Sequence, residues 1–105
     1  MGEITAEQVA AAEIRREENG SGGRYVLSAG GAEAEMTYSR ISAKRIIVDH
    51  TGVPAAMRGT GAGLRLAEHA VADARENGWS ILPLCPFMRA QALRHEAWHD
   101  VVEMR

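Results

Sequence analysis

His50-Thr51-Gly52-Val53-Pro54-Ala55-Ala56-Met57-Arg58-Gly59-Thr60-Gly61-Ala62-Gly63-Leu64 joins two halves of the chain that have different hydrophobic periods. Upstream, apolar residues alternate with polar ones, the two-residue period of a strand with one buried face. Downstream, Leu64, Ala67, Val71 and Ala74 recur at the spacing of one helical stripe, with Arg65, Glu68, Asp73, Arg75 and Glu76 mostly outside it. The glycine-rich stretch is therefore read as a strand-to-helix junction, with the helix over 61–77.

The junction has an unusual helix start. A helix N-terminus exposes backbone N–H groups and carries partial positive charge. Most sequences answer this with an acidic first turn, but here no acid appears until Glu68. Thr60 is one candidate cap. Otherwise Gly59, Gly61 and Gly63 leave the backbone approachable, and Arg58 adds charge, as suits an external anion. The plainer reading is a flexible turn into a helix. Rival phosphate motifs fit poorly. A P-loop needs Lys and then Ser or Thr after its last glycine, where Leu64 and Arg65 stand. A dinucleotide-binding turn from Gly59 needs a small residue in place of Leu64.

Working outward toward the N-terminus, residues 45–50 read as a strand. Their Ile46-Ile47-Val48 run suggests burial on both faces and a central position. A turn is expected at 41–43. Residues 33–40 alternate cleanly, with Ala34, Met36 and Tyr38 on one face and Glu33, Glu35, Thr37 and Ser39 on the other. Gly30-Gly31 marks a hairpin, 24–28 a strand with Tyr25 and Leu27 inward, and 19–23 a loop. Two readings stay open further upstream. Thr5 and Gln8 suit a capping box for a short helix over 9–12, or the segment leads directly into a strand near 13–18. In the other direction, Asn77-Gly78 ends the helix and 79–84 forms a short strand. Pro86 can start a last helix over about 88–95. A strand–helix–strand crossover makes the last two strands parallel.

Composition bounds the function. With 105 residues, 46% hydrophobic and 25% charged, the expectation is one globular domain spanning 1–105. A net charge of -2 gives no basic field for nucleic acid or anionic lipid. No apolar run reaches the ~20 residues of a membrane span. Met1-Gly2-Glu3-Ile4-Thr5-Ala6 lacks the features of a signal peptide or a myristoylation site. The single cysteine, Cys85, excludes an internal disulfide and suits a reducing, cytoplasmic setting.

Arg58, Gly61 and Gly63, led in by Val53-Pro54 within the order meander, loop, helix, strand, helix, resemble the coenzyme A loop of the GNAT N-acetyltransferase superfamily. The resemblance implies an α/β (α+β) fold of that type: an antiparallel meander followed by a helix, a parallel strand and a C-terminal helix. It implies that 58–63 (Arg58, Gly59, Thr60, Gly61, Ala62, Gly63) bind the pyrophosphate of acetyl-CoA. The strand end around Thr51, Gly52 and Val53 would hold the pantetheine arm. The implied partners are acetyl-CoA and an amine acceptor of unknown identity. A narrower similarity, through His50-Thr51, Leu84-Cys85-Pro86-Phe87 and Arg94-His95, is to a group of very small GNAT-like proteins. This chain departs from that group at Gln91 and in Glu96-Ala97-Trp98.

Two residues are catalytic candidates within that frame. Cys85 has three open roles: acyl-accepting nucleophile, proton source for the departing thiolate, or small buried apolar residue. His50 is a general-base candidate, or else a strand-end histidine bonded to backbone. His69 is expected to be solvated, and Trp79 and Trp98 to pack. A non-catalytic acyl-CoA sensor is the main alternative function. The remote one is a zinc hydrolase through His95-Glu96-Ala97-Trp98-His99, which matches H-E-x-x-H but has few candidates for a third ligand. No metal is expected.

Overall fold

The computed structural model describes residues 3–104. The sequence reading of Met1 and Gly2 falls outside them. The elements are α1 (Ala6–Ala11), β1 (Ile14–Glu18), β2 (Gly22–Ala29), β3 (Ala32–Ser42), β4 (Arg45–Gly52), α2 (Ala62–Asn77), β5 (Ser80–Pro83) and α3 (Pro86–Arg94). Short 3-10 turns lie at Ala55–Met57 and Glu96–Trp98. The five strands form one sheet in sequence order, antiparallel from β1 to β4 and parallel between β4 and β5. No helix among the described residues is long and apolar enough to cross a membrane.

The two readings left open near the N-terminus both occur, one after the other. Thr5 Oγ1 accepts from the Gln8 N–H at 3.1 Å, and Gln8 Oε1 accepts from the Thr5 N–H at 2.8 Å. This capping box starts α1, and β1 follows after Ala12.

Alternation puts one face of the sheet into the core. Leu27 lies opposite Ala34 and Tyr25 opposite Met36, all fully buried. Ile46, Val48 and Ile81 continue that face into β4 and β5, where it meets Leu66, Ala67, Ala70, Val71 and Ala74 of α2 and Met88 and Ala92 of α3. Burial of each large side chain here contributes roughly 1.5–3 kcal/mol. The other face carries a ladder of ion pairs, Arg15 with Glu17 and Glu33, and Arg24 with Glu17 and Glu35.

Several details differ from the sequence reading. Helix α1 spans Ala6–Ala11, not 9–12; Gly22 and Gly23 belong to β2, not to the preceding loop; and α3 begins at Pro86 itself. The β3–β4 turn is Ala43-Lys44, because β3 keeps pairing to Ser42 opposite Arg45. Strand β4 is interior, but Ile47 is only partly buried, since its face of the sheet is the polar one. Helix α2 begins at Ala62, with Gly61 as its N-cap. Leu66 and Ala70 complete its buried stripe in place of Leu64, which stays partly exposed.

The functionally important irregularity lies in β4. Tyr38 pairs with Val48 but Thr37 pairs with His50, so Asp49 is an extra residue, a β-bulge. The bulge shifts the alternation by one. His50 joins Thr37 on the polar face, and Thr51, opposite the buried Met36, turns toward the helices.

Candidate functional site

The start of α2 is built to present backbone amides. Gly59 and Gly61 have φ of 79° and 85°, a left-handed conformation that glycine adopts without strain. A Cβ placed at either would meet nothing within 4 Å, so both face open space. Thr60 does not cap α2: its hydroxyl donates backward to the Met57 carbonyl. No side chain caps the helix, and its first turn holds no acid. The first intrahelical bond runs from the Arg65 N–H to the Gly61 carbonyl at 2.9 Å; the Thr60 N–H is taken by the Met57 carbonyl at 3.2 Å, and the amides of 61–64 are left to outside acceptors. The Arg58 backbone N–H donates to the Ala55 carbonyl at 3.2 Å, while its exposed side chain makes no hydrogen bond or ion pair with any described residue.

Beside this turn the sheet opens. Pairing between β4 and β5 stops at Val48 and Pro83, and the Leu84 and Cys85 N–H groups both donate to the Val48 carbonyl, at 3.2 and 2.9 Å. Beyond the Asp49 bulge, residues 50–52 keep their pairing with β3 but have no β5 partner. A cleft of about 400 Å³ connects the two features, lined by Val53 from the strand end, Arg58, Gly59, Gly61 and Gly63 from the turn, and Phe87 from α3. Leu64 and Gln91 also border it, which explains why Leu64 is missing from the core.

Gly63 has a separate requirement. A Cβ there would lie 2.7 Å from Phe87 Cζ, so the glycine lets the Phe87 ring lie against the first turn of α2. Phe87 and Gln91 join the site without a sequence motif of their own; their signal is position, one and five residues past Pro86 in the helix that begins at the splay.

Of the two catalytic candidates, one is held at the splay. Cys85 is the N-cap residue of α3, and its Sγ, almost fully buried, makes no cap bond. Sγ lies 3.3 Å from Thr51 Oγ1. His50 is not brought to this pair. It is exposed on the polar face, with its Nε2 3.4 Å from where a Gly52 Cβ would stand.

The remaining histidines have structural partners. The H-E-x-x-H segment is not one helix, because α3 ends at Arg94 and the chain re-forms as a 3-10 turn. His95 Nδ1 pairs with the Gln91 carbonyl at 2.7 Å and His99 Nε2 with the Ala92 carbonyl at 2.8 Å. The His95 ring stacks on Trp98 at 4.1 Å. Both rings serve the C-terminus of α3, and no metal-competent group of three His, Cys, Asp or Glu side chains occurs among the described residues. His69 is not solvated as expected: it is half-buried, edge-on to Tyr25 at 5.5 Å. Burial pushes its pKa below the ordinary value, helped by Arg65 and Arg16 and opposed by Asp73.

A sheet splayed next to an uncapped, glycine-lined helix start is the arrangement expected of an acyl-CoA-dependent transferase fold. Residues 24–101 match the family described as GCN5-related N-acetyl-transferase, and the chain belongs to that family. It is also similar to the NMR solution structure of a "GCN5-like putative N-acetyltransferase" from Staphylococcus aureus, with 32% identity, a TM-score of 0.66 and 86% of each chain covered. The search of curated proteins gave no match. Acetyl transfer is thus the general chemistry that family membership supports.

Proposed function

We propose that this chain moves an acetyl group from acetyl-CoA to an amine. The observation that carries the reading is the uncapped first turn of α2 opening on the same cleft as Val53, the residue that follows the free end of β4. The fit to a pyrophosphate is chemical. Two linked anionic groups need several convergent donors and little competing negative charge, and the turn offers backbone amides, open glycines and an Arg58 side chain with no partner among the described residues.

In this reading Arg58, Gly59, Thr60, Gly61, Ala62 and Gly63 hold the pyrophosphate, and Thr51, Gly52 and Val53 hold the pantetheine arm. Acetyl-CoA supplies an activated thioester. Backbone amides at Thr51, Gly52 and Val53 polarise its carbonyl as negative charge develops there. The Cys85 thiol, fixed by Thr51, supplies a proton to the departing thiolate from the helix side. His50, on the polar face, removes the proton from an amine arriving there. The bulge at Asp49 thus separates the two proton-handling groups onto opposite faces of the strand end. The lone cysteine suits a reducing, cytoplasmic setting.

Thermal unfolding with and without acetyl-CoA tests this directly. A ligand at 100 times its Kd adds ~2.7 kcal/mol, and each kcal/mol moves the midpoint of a domain of this size by roughly 4–8 °C. A rise of about 10 °C or more that ATP and NAD do not reproduce is the expected result. No rise at millimolar acetyl-CoA would reduce the glycine turn to a structural one. Binding without turnover across a broad amine panel would make the chain an acyl-CoA sensor instead.

A further inference from the structure

We propose that Arg65 is a positioning residue for the anion-binding turn, coupling the turn's shape and charge to helix α1. The inference rests on the acyl-CoA reading of that turn. A cation in the first turn of a helix is disfavoured by the helix dipole, so its presence there needs a reason. Arg65 is fixed at both ends. Its backbone N–H makes the bond to Gly61 O at 2.9 Å that closes the first turn of α2. Its Nη1 lies 2.7 Å from the Val9 carbonyl, 3.1 Å from Ala10 and 2.7 Å from Ala12.

Those three carbonyls end α1, where orphan acceptors and partial negative charge collect. Helix α1 is itself anchored by its capping box and by the fully buried Val9. A continuous path therefore runs from α1 through the Arg65 guanidinium and backbone to the Gly61 carbonyl. That carbonyl sets the direction of the amides that follow it. The partners of Arg65 are neutral carbonyls and no carboxylate, so its full positive charge remains one turn from the proposed phosphate position. Arg65 would thus both brace the turn and add to its field.

The test compares the full chain with Arg65→Met, Arg65→Lys and a deletion of residues 1–12. Each is measured below its unfolding transition for CoA affinity and for the ligand-free amide shifts of Gly61, Ala62 and Gly63. Arg65→Met is expected to weaken CoA binding about tenfold and to move those amide shifts. Arg65→Lys keeps charge without the planar fork and should recover only part of the affinity. Deleting 1–12 should resemble Arg65→Met, and combining the two should add little. A lower Tm for Arg65→Met with unchanged CoA affinity and unchanged amide shifts would overturn the proposal and leave Arg65 as a structural clasp. If the unaltered chain binds no CoA, the reading of the turn fails. The ligand-free shifts then still decide whether Arg65 sets its shape: movement supports the coupling, and none rejects it.

Discussion

Thr51 Oγ1 stands 3.3 Å from Cys85 Sγ, bridging the free end of β4 to the N-cap residue of α3. The contact orients a buried thiol that would otherwise be a small apolar filler. Replacing Cys85 with Ala should reduce turnover by roughly 10²-fold or more, the usual share of a positioned proton donor, while CoA affinity stays within about twofold. Thr51→Val keeps the shape and removes the hydroxyl, so kcat should fall with little change in KM for acetyl-CoA. Steady-state kinetics on both variants checks this, and full activity in Cys85→Ala removes the thiol from the mechanism.

Gly61 and Gly63 should fail for different reasons when changed to Ala. At Gly61 the added methyl has open space, but φ of 85° costs about 1–2 kcal/mol for an L side chain. At Gly63 the backbone is helical, and the methyl meets the Phe87 ring. Overpacking of that kind costs about 1–3 kcal/mol and pushes the ring into the cleft. The Phe87→Leu background should therefore relieve Gly63→Ala and leave Gly61→Ala unchanged. Denaturant unfolding of the two double variants reads this coupling.

His69 makes stability depend on pH near neutrality. Burial holds its pKa below the ordinary 6.5 in the folded chain. The unfolded chain takes up the proton first, so this contribution is full above about pH 6.5 and is lost as pH falls through the folded value. Glu18 acts lower. Its hydrogen bonds to Arg40 and Tyr38 hold its pKa below the ordinary 4.5. Its contribution is present above that value and disappears on further acidification. Melting curves should thus show two losses on going from pH 7.5 to 3. His69→Gln should remove the first, while Glu18→Gln should reduce the second without removing it, since arginine partners also hold Glu17, Glu33 and Asp100 below their ordinary values.

Chelation should leave the protein unaffected. The His95 and His99 rings are bonded to carbonyls of α3, not directed at a shared point. EDTA treatment is expected to change neither Tm nor activity, and elemental analysis to find less than stoichiometric zinc. His99→Ala should cost about 1 kcal/mol through the lost carbonyl bond. Metal bound at one equivalent, with loss of activity on its removal, would restore the zinc reading.

The fold was legible because its signals are periodic and local. The alternation of Ala34, Met36 and Tyr38, the Asn77-Gly78 stop and the glycine turn each follow from backbone geometry that neighbouring residues impose. The site was legible only in part. The bulge at Asp49 has no glycine or proline to announce it, and it arises from pairing with β3. Alternation counted from Val48 therefore puts His50 on the wrong face. Leu64 was assigned to the core because a helical stripe cannot tell packing on a sheet from lining a cleft. Phe87 came to the turn through tertiary contact with Gly63, the two being brought together across the crossover that β5 completes.

His50 gives the last test, because the bulge places it away from the thiol and on the polar face. If it removes the proton of the incoming amine there, His50→Gln should lower kcat by about 10²-fold and leave CoA affinity untouched. A second variant separates catalysis from folding. Thr37→Val alters the residue opposite His50 without removing the ring, and should retain most turnover. Deleting Asp49 would close the bulge and return the alternation to its unshifted order. His50 would then turn toward the helices and Thr51 away from Cys85, so both proton-handling groups would be displaced by one change. Such a variant should lose turnover more completely than either His50→Gln or Thr51→Val. Retained activity in the Asp49 deletion would show that the division of roles between the two faces is wrong.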